Sequence, residues 1–164
     1  MCYLISVAVA APALDMPAHF RSFELEATGT LNTTVRNAFG SDAAFDITEH
    51  GCSCSLQTPG SRHDEDELRR RYLKKGWTAA KIDRAIESVS RSRAQAPRPA
   101  RDRFLDGLAV LCGSGARVRL VSHAYTGRFD RETFELAPPR RVALGVLAHA
   151  PFAEDIVLAI DPRG

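Results

Sequence analysis

Residues 3–10 read Tyr-Leu-Ile-Ser-Val-Ala-Val-Ala, a continuous apolar run rich in β-formers. Such a run predicts a buried central strand, and a chain with that strand at its start must build a sheet around it. The small residues that follow suggest a secretory signal. However, no Lys or Arg precedes the run, and a signal peptide needs a positively charged start. The strand reading is therefore preferred, with a reducing cytoplasm as the expected location. No apolar segment approaches the roughly 20 residues that span a membrane, so no membrane partner is expected.

The remaining pattern fixes the class. Residues 13–24 suit a short helix starting near Asp15, with Met16, Phe20 and Phe23 at helical spacing. Residues 25–43, with Gly29, Asn32, Asn37 and Gly40, read as loop with room for a helical turn. Residues 44–48 alternate as a strand running into Cys52-Ser53-Cys54, and 57–61 form a turn. Asp64 to Glu67 open a helix and Arg69 to Lys75 close it, both matching the helix dipole, with Gly76 as terminator. Thr78 is the N-cap of a second helix whose stripe is Ile82, Ala85, Ile86 and Val89. A third helix carries Phe104, Leu105, Leu108, Leu111 and Cys112 on one face. Strands are expected over 117–125, 132–136, 142–147 and 156–160, the third with helical character as its alternative. The expectation is α+β: a mixed or largely antiparallel sheet covered by about three helices in a single pair of layers. The 164 residues suit one domain, 1–164, with a helical segment at about 63–114 between two strand-rich parts.

Side chains capable of chemistry crowd together only at His50-Gly51-Cys52-Ser53-Cys54. If the segment is extended, His50, Cys52 and Cys54 share a face, with Cα atoms roughly 6.6 Å apart from one to the next. Two thiolates at that spacing can share one ion with modest bending, and Gly51 supplies a bend to return His50. Thiolate and imidazole suit zinc or copper(I), and a closed site takes a fourth ligand from Cys2, His63 or His123. A soft-metal site of Cys52, Cys54, His50, Cys2 and His123, with zinc as the ion, is the leading expectation. The competing readings are reduced cysteines facing the core and a redox or nucleophilic thiol. A disulfide between Cys52 and Cys54 closes a short, strained ring.

Two further sites compete. The Met1-Cys2 start followed by an apolar strand resembles the opening of class II glutamine amidotransferases and related amidohydrolases over about the first eight residues. Tyr3 stands where those amidotransferases usually have glycine. The resemblance implies a Cys2 nucleophile with its own α-amino group as base. Asn32 and Asn37 are the candidate oxyanion donors. Separately, the formal charge is only +2, yet residues 62–103 carry a net +6. Arg69, Arg70, Arg71, Lys74, Lys75, Lys81 and Arg84 on a helical pair joined by a tight turn suit nucleic acid or an acidic partner. A solvated, dipole-matched helix explains the same charges. His123 and Tyr125, followed by Asp130 and Glu132, offer an acid–base pairing. No Gly-rich phosphate loop and no Gly-x-Ser-x-Gly elbow is present. Nothing here commits the chain to an enzymatic role.

Overall fold

The computed structural model describes residues 2–10, 14–57, 65–95 and 98–161. His63, Asp64 and the expected turn at 58–61 lie outside them, as do the side chains of the acidic turn 65–67. The elements are β1 (Cys2–Ala10), α1 (Met16–Arg21), β2 (Glu26–Gly29), α2 (Thr33–Phe39), β3 (Ala43–Thr48), α3 (Cys54–Gln57), α4 (Glu65–Lys74), α5 (Ala79–Gln95), α6 (Ala100–Gly113), β4 (Arg117–Tyr125), β5 (Ala137–Ala143) and β6 (Ile156–Asp161). The fold is α+β with one open, mixed sheet in the order β2-β3-β1-β4-β6-β5. All neighbours are antiparallel except β5 and β6. Among the described residues no helix is long and apolar enough to cross a membrane.

The apolar first strand takes the place its composition demands. β1 lies between β3 and β4, with six consecutive buried residues. Ile5, Val7 and Val9 face the larger core, which holds Met16 and Phe20 of α1 and Phe104, Leu108 and Leu111 of α6. Leu4 and Ala8 face a smaller cluster with Val35 and Phe39 of α2, Val121 and Phe129. Both faces are thus dry, which is why the strand shows no polar alternation. Gly107 lets α1 and α6 close: a Cβ there would lie 3.0 Å from the Phe20 ring.

Contacts divide the chain into two compact units. The sheet, α1 to α3 and α6 form one, and α4 with α5 form the other. Of the helices in the 63–114 segment, α6 groups with the sheet unit. Within the helical unit, Gly76 takes φ 73° and ends α4 as expected. Trp77 stacks on Tyr72 at 4.5 Å, Lys81 Nζ lies 4.2 Å from the Trp77 ring centre, and Arg69 pairs with Asp83 at 2.8 Å.

Four local expectations change. α2 occupies what reads as loop, because the Asn32 side chain accepts from Val35 N and starts a helix. β2 also falls in that stretch and pairs along β3. Residues 132–136 are not a strand: Asn32 Nδ2 donates to the carbonyls of Phe129 and Glu132, which holds the chain in an irregular path. The 142–147 run divides between the end of β5 and a 3-10 turn at Leu144–Ala148.

Candidate thiol site

The Cys-Ser-Cys segment is a turn and a short helix, and its local logic begins with β3. That strand pairs with β1 only as far as Ile5↔Ile47, which leaves the start of β1 without a strand neighbour on that side. Backbone groups at a dry edge need partners. After Thr48 the chain reverses. Glu49 N donates to Cys52 O at 2.9 Å and Cys52 N to Glu49 O at 3.2 Å. His50 and Gly51 sit between them at φ 52° and 78°, the signs that a two-residue type I′ reversal requires.

Ser53 then docks the segment. Its hydroxyl accepts from Ile5 N at 3.1 Å and donates to the Ile47 carbonyl, bridging the last rung of the β1–β3 ladder. Its amide donates to Tyr3 O. Ser53 is fully buried. With the serine turned inward, Cys52 and Cys54 fall together on the other side. The strand argument put them on one face, and the turn achieves it by a different route.

The two sulfurs are 2.7 Å apart, with the Cys52 thiol donating to Cys54. Tyr3 N points at Cys54 Sγ at 3.4 Å, and Cys54 N at Cys52 Sγ at 3.2 Å. The pair is electrostatically unequal. The hydrogen bond from Cys52 is the largest influence lowering the Cys54 pKa below the usual thiol range. The Tyr3 amide and a hydrogen bond from Cys2 add to it against the cost of burial. Burial pushes the Cys52 thiol up, and its bond to Cys54 pushes it further. Cys2, exposed at the start of β1, is near enough to lower Cys54 in this way. Nearby Tyr125 is raised by burial first and then by the charges of these cysteines.

Two arginines of α6 clamp the segment from behind. Arg101 is 1% exposed, and its guanidinium donates to the carbonyls of Leu56, Gln57, Leu147 and Ala150. It also stacks over Phe152 at 4.0 Å. Burial lowers its pKa to about 10, so it stays charged at neutral pH. Arg103 pairs with Glu49, the residue before the reversal, and with the carbonyls of Phe23 and Glu24. Both fall at the end of the net-basic stretch 62–103, outside the seven basic residues of the helical pair.

The other expected ligands are placed differently. His50 stands at the tip of the reversal and makes no side-chain hydrogen bond or ion pair among the described residues. His123 lies on β4 opposite Leu4, one same-face step from the Cys2↔Tyr125 pair. Its Nδ1 is 2.6 Å from Asp155, its Nε2 is 3.7 Å from Glu132, and its ring stacks on Phe134 at 3.7 Å. No hydrogen bond or ion pair joins it to a thiol among the described residues. Nor do those residues include a group of three or more His, Cys, Asp or Glu set to hold a metal ion. Two sulfurs on one zinc sit roughly 3.8 Å apart, from a Zn–S length of about 2.3 Å and a tetrahedral angle. The Cys52–Cys54 pair is closer than that.

The amidohydrolase features also find other employment. Asn32 is buried and commits its side chain to capping α2 and holding two carbonyls, so it is no oxyanion donor. Asn37 lies on the exposed face of α2. No family model matches the chain, and neither a curated protein nor a solved structure matches it.

Proposed function

We propose that the chain carries a thiol–disulfide exchange site, with Cys54 as the attacking thiolate and Cys52 as its resolving partner. The observation that carries this is the 2.7 Å pair with one thiol lowered and the other raised. A depressed pKa raises the thiolate fraction of Cys54 above that of an ordinary cysteine, and the thiolate is the nucleophile. Cys54 attacks one sulfur of an external disulfide, forming a mixed disulfide and releasing the first thiolate. Cys52 then gives up its proton and attacks Cys54 Sγ, releasing the second. Two electrons pass to the substrate disulfide, whose two released thiolates take up the Cys52 proton and one proton from solvent, and Cys52 and Cys54 become joined. The Cys-x-Cys ring is strained. Strained disulfides are the readily reduced ones, so the oxidised pair is a good donor of its disulfide to other thiols.

The test is equilibration in glutathione buffers of graded potential, with the disulfide mapped by mass spectrometry. A Cys52–Cys54 bond with a midpoint more oxidising than about −300 mV supports the reading, structural disulfides lying below that value. No intramolecular bond at any potential overturns it.

The hydrogen bond from Cys2 to Cys54 motivates a second reading, capture of a soft ion by Cys2, Cys52 and Cys54, although among the described residues the three are not set as a ligand group. Three thiolates suit copper(I), whereas zinc needs a fourth ligand. This requires the Cys52 and Cys54 sulfurs to part. Elemental analysis of protein purified without tag or chelator, beside the Cys52→Ser, Cys54→Ser double variant, decides it. Near-stoichiometric copper or zinc lost in the variant supports the ion, and metal absent from both after refilling excludes it.

A further inference from the structure

At the far end of the sheet from the thiols, a cavity of about 750 Å³ opens beside the C-terminal end of α2. Ligand sites occupy roughly 300–1,000 Å³. Its floor is set by strand register. Arg119 on β4 faces Ala8 on one side and Ala159 on the other, and Ala159 faces Arg141 on β5. Residues directly opposite share a face, and so do residues two apart on one strand. Arg117, Arg119 and Arg141 therefore rise from one face, with alanines keeping the ground between them low. Arg119 and Arg141 are two strands apart, roughly 10 Å at the backbone.

The three arginines are not equivalent. Arg119 is fixed: it pairs with Asp42 at 2.6 Å, donates to the carbonyls of Ala38 and Phe39, and so closes the end of α2. Its charge is matched. Arg117 and Arg141 line the same cavity, are exposed, and have no hydrogen-bond or ion-pair partner among the described residues. One acid besides Asp42 lines the cavity, Asp161. Phe39 and Ala159 supply the apolar wall on this face, whereas the side chains of Val118 and Ile160, one residue along each strand, turn to the opposite face and the larger core. Two guanidinium forks with no partner among the described residues, on a partly apolar cleft, match a phosphate's several acceptor oxygens better than a single carboxylate.

We propose that this cleft binds a small organic phosphate, its phosphate group held by Arg117 and Arg141 and its body against the apolar wall. This site is separate from the thiols and does not depend on their chemistry.

The experiment is calorimetric titration at near-physiological salt with phenyl phosphate, inorganic phosphate and benzoate. Phenyl phosphate is expected to bind saturably at one site, more tightly than either of the other two. Arg117→Gln and Arg141→Gln should each weaken it at least about tenfold, and Arg141→Lys should fail to restore it because Lys lacks the fork. Asp161→Asn should leave binding intact or tighten it. Both arginines are exposed, so unchanged melting temperatures should accompany these losses. Absence of saturable binding overturns the proposal, as does binding undiminished in the Arg117→Gln, Arg141→Gln double variant. Benzoate outcompeting phenyl phosphate overturns the phosphate assignment.

Discussion

Ser53→Ala is the perturbation that probes the site's construction most sharply. The Ser53 hydroxyl is the only group between Ile5 N and the Ile47 carbonyl in the hydrogen bonds described, and Ser53 and Ile5 are both fully buried. Removing it orphans one buried donor and one buried acceptor, at about 1–3 kcal/mol each, so a loss of about 2–6 kcal/mol is expected. Domains of this kind hold about 5–15 kcal/mol in all, so the change is large but survivable. Because Ser53 also docks the segment on Tyr3, the Tyr3 amide should loosen from Cys54 and the Cys54 pKa should rise toward the ordinary thiol value. Urea unfolding under reductant measures the first effect, and site-resolved alkylation against pH the second. A loss below about 0.5 kcal/mol, inside the range of ordinary surface substitutions, would mean that Ile5 and Ile47 pair directly. Combined with an unmoved Cys54, it would refute the claim that Ser53 sets the thiol geometry.

Arg101→Met leaves four carbonyls without their charged donor and should cost about 3–5 kcal/mol; a melting temperature within a degree of the parent contradicts the clamp. Asp46 is held above the usual carboxylate range by burial, against hydrogen bonds from Ser6 and Thr30. Its folded pKa exceeds its unfolded one, so its contribution is fully present below the unfolded value and is lost as pH rises through the folded value. Asp46→Asn should therefore flatten the decline in stability above about pH 4, seen in urea midpoints; an unchanged pH profile counts against it. Cys112 is buried in the larger core and raised by that burial, so it should resist alkylation until the protein unfolds; labelling as fast as Cys2 would contradict the packing.

How much of this was legible depends on whether the determinant was local. β1, β4, β6 and the three long helices follow from runs and stripes whose period is visible in the chain. The helical unit's turn follows from Gly76. α2 was legible in principle, since Asn32 precedes Val35 and Phe39 at a four-residue spacing, but the surrounding glycine and asparagine residues read as loop. Arg101 also left a signal. It stands three residues before Phe104 and seven before Leu108, on the apolar stripe of α6, where a solvated arginine would be misplaced. The juxtaposition of Cys2 with Cys54 had no local signal, because it depends on the β1–β3 register and on a reversal fifty residues away. The inward serine, which makes the cysteines neighbours, is equally a product of tertiary accounting: it answers an unpaired strand edge that no single segment displays.

The account rests on Cys54 being the thiolate of an unequal pair. Its alkylation rate, followed by mass spectrometry across pH in the parent and in Cys52→Ser, tests this most directly. The parent should show Cys54 titrating below the ordinary thiol value of about 8.5, with Cys52 above it. In Cys52→Ser the Cys54 value should rise, because a hydroxyl on the shorter side chain no longer supplies the thiol's contact. Cys54 titrating at or above the ordinary value, or Cys52 proving the more acidic, would contradict the assignment of nucleophile and partner.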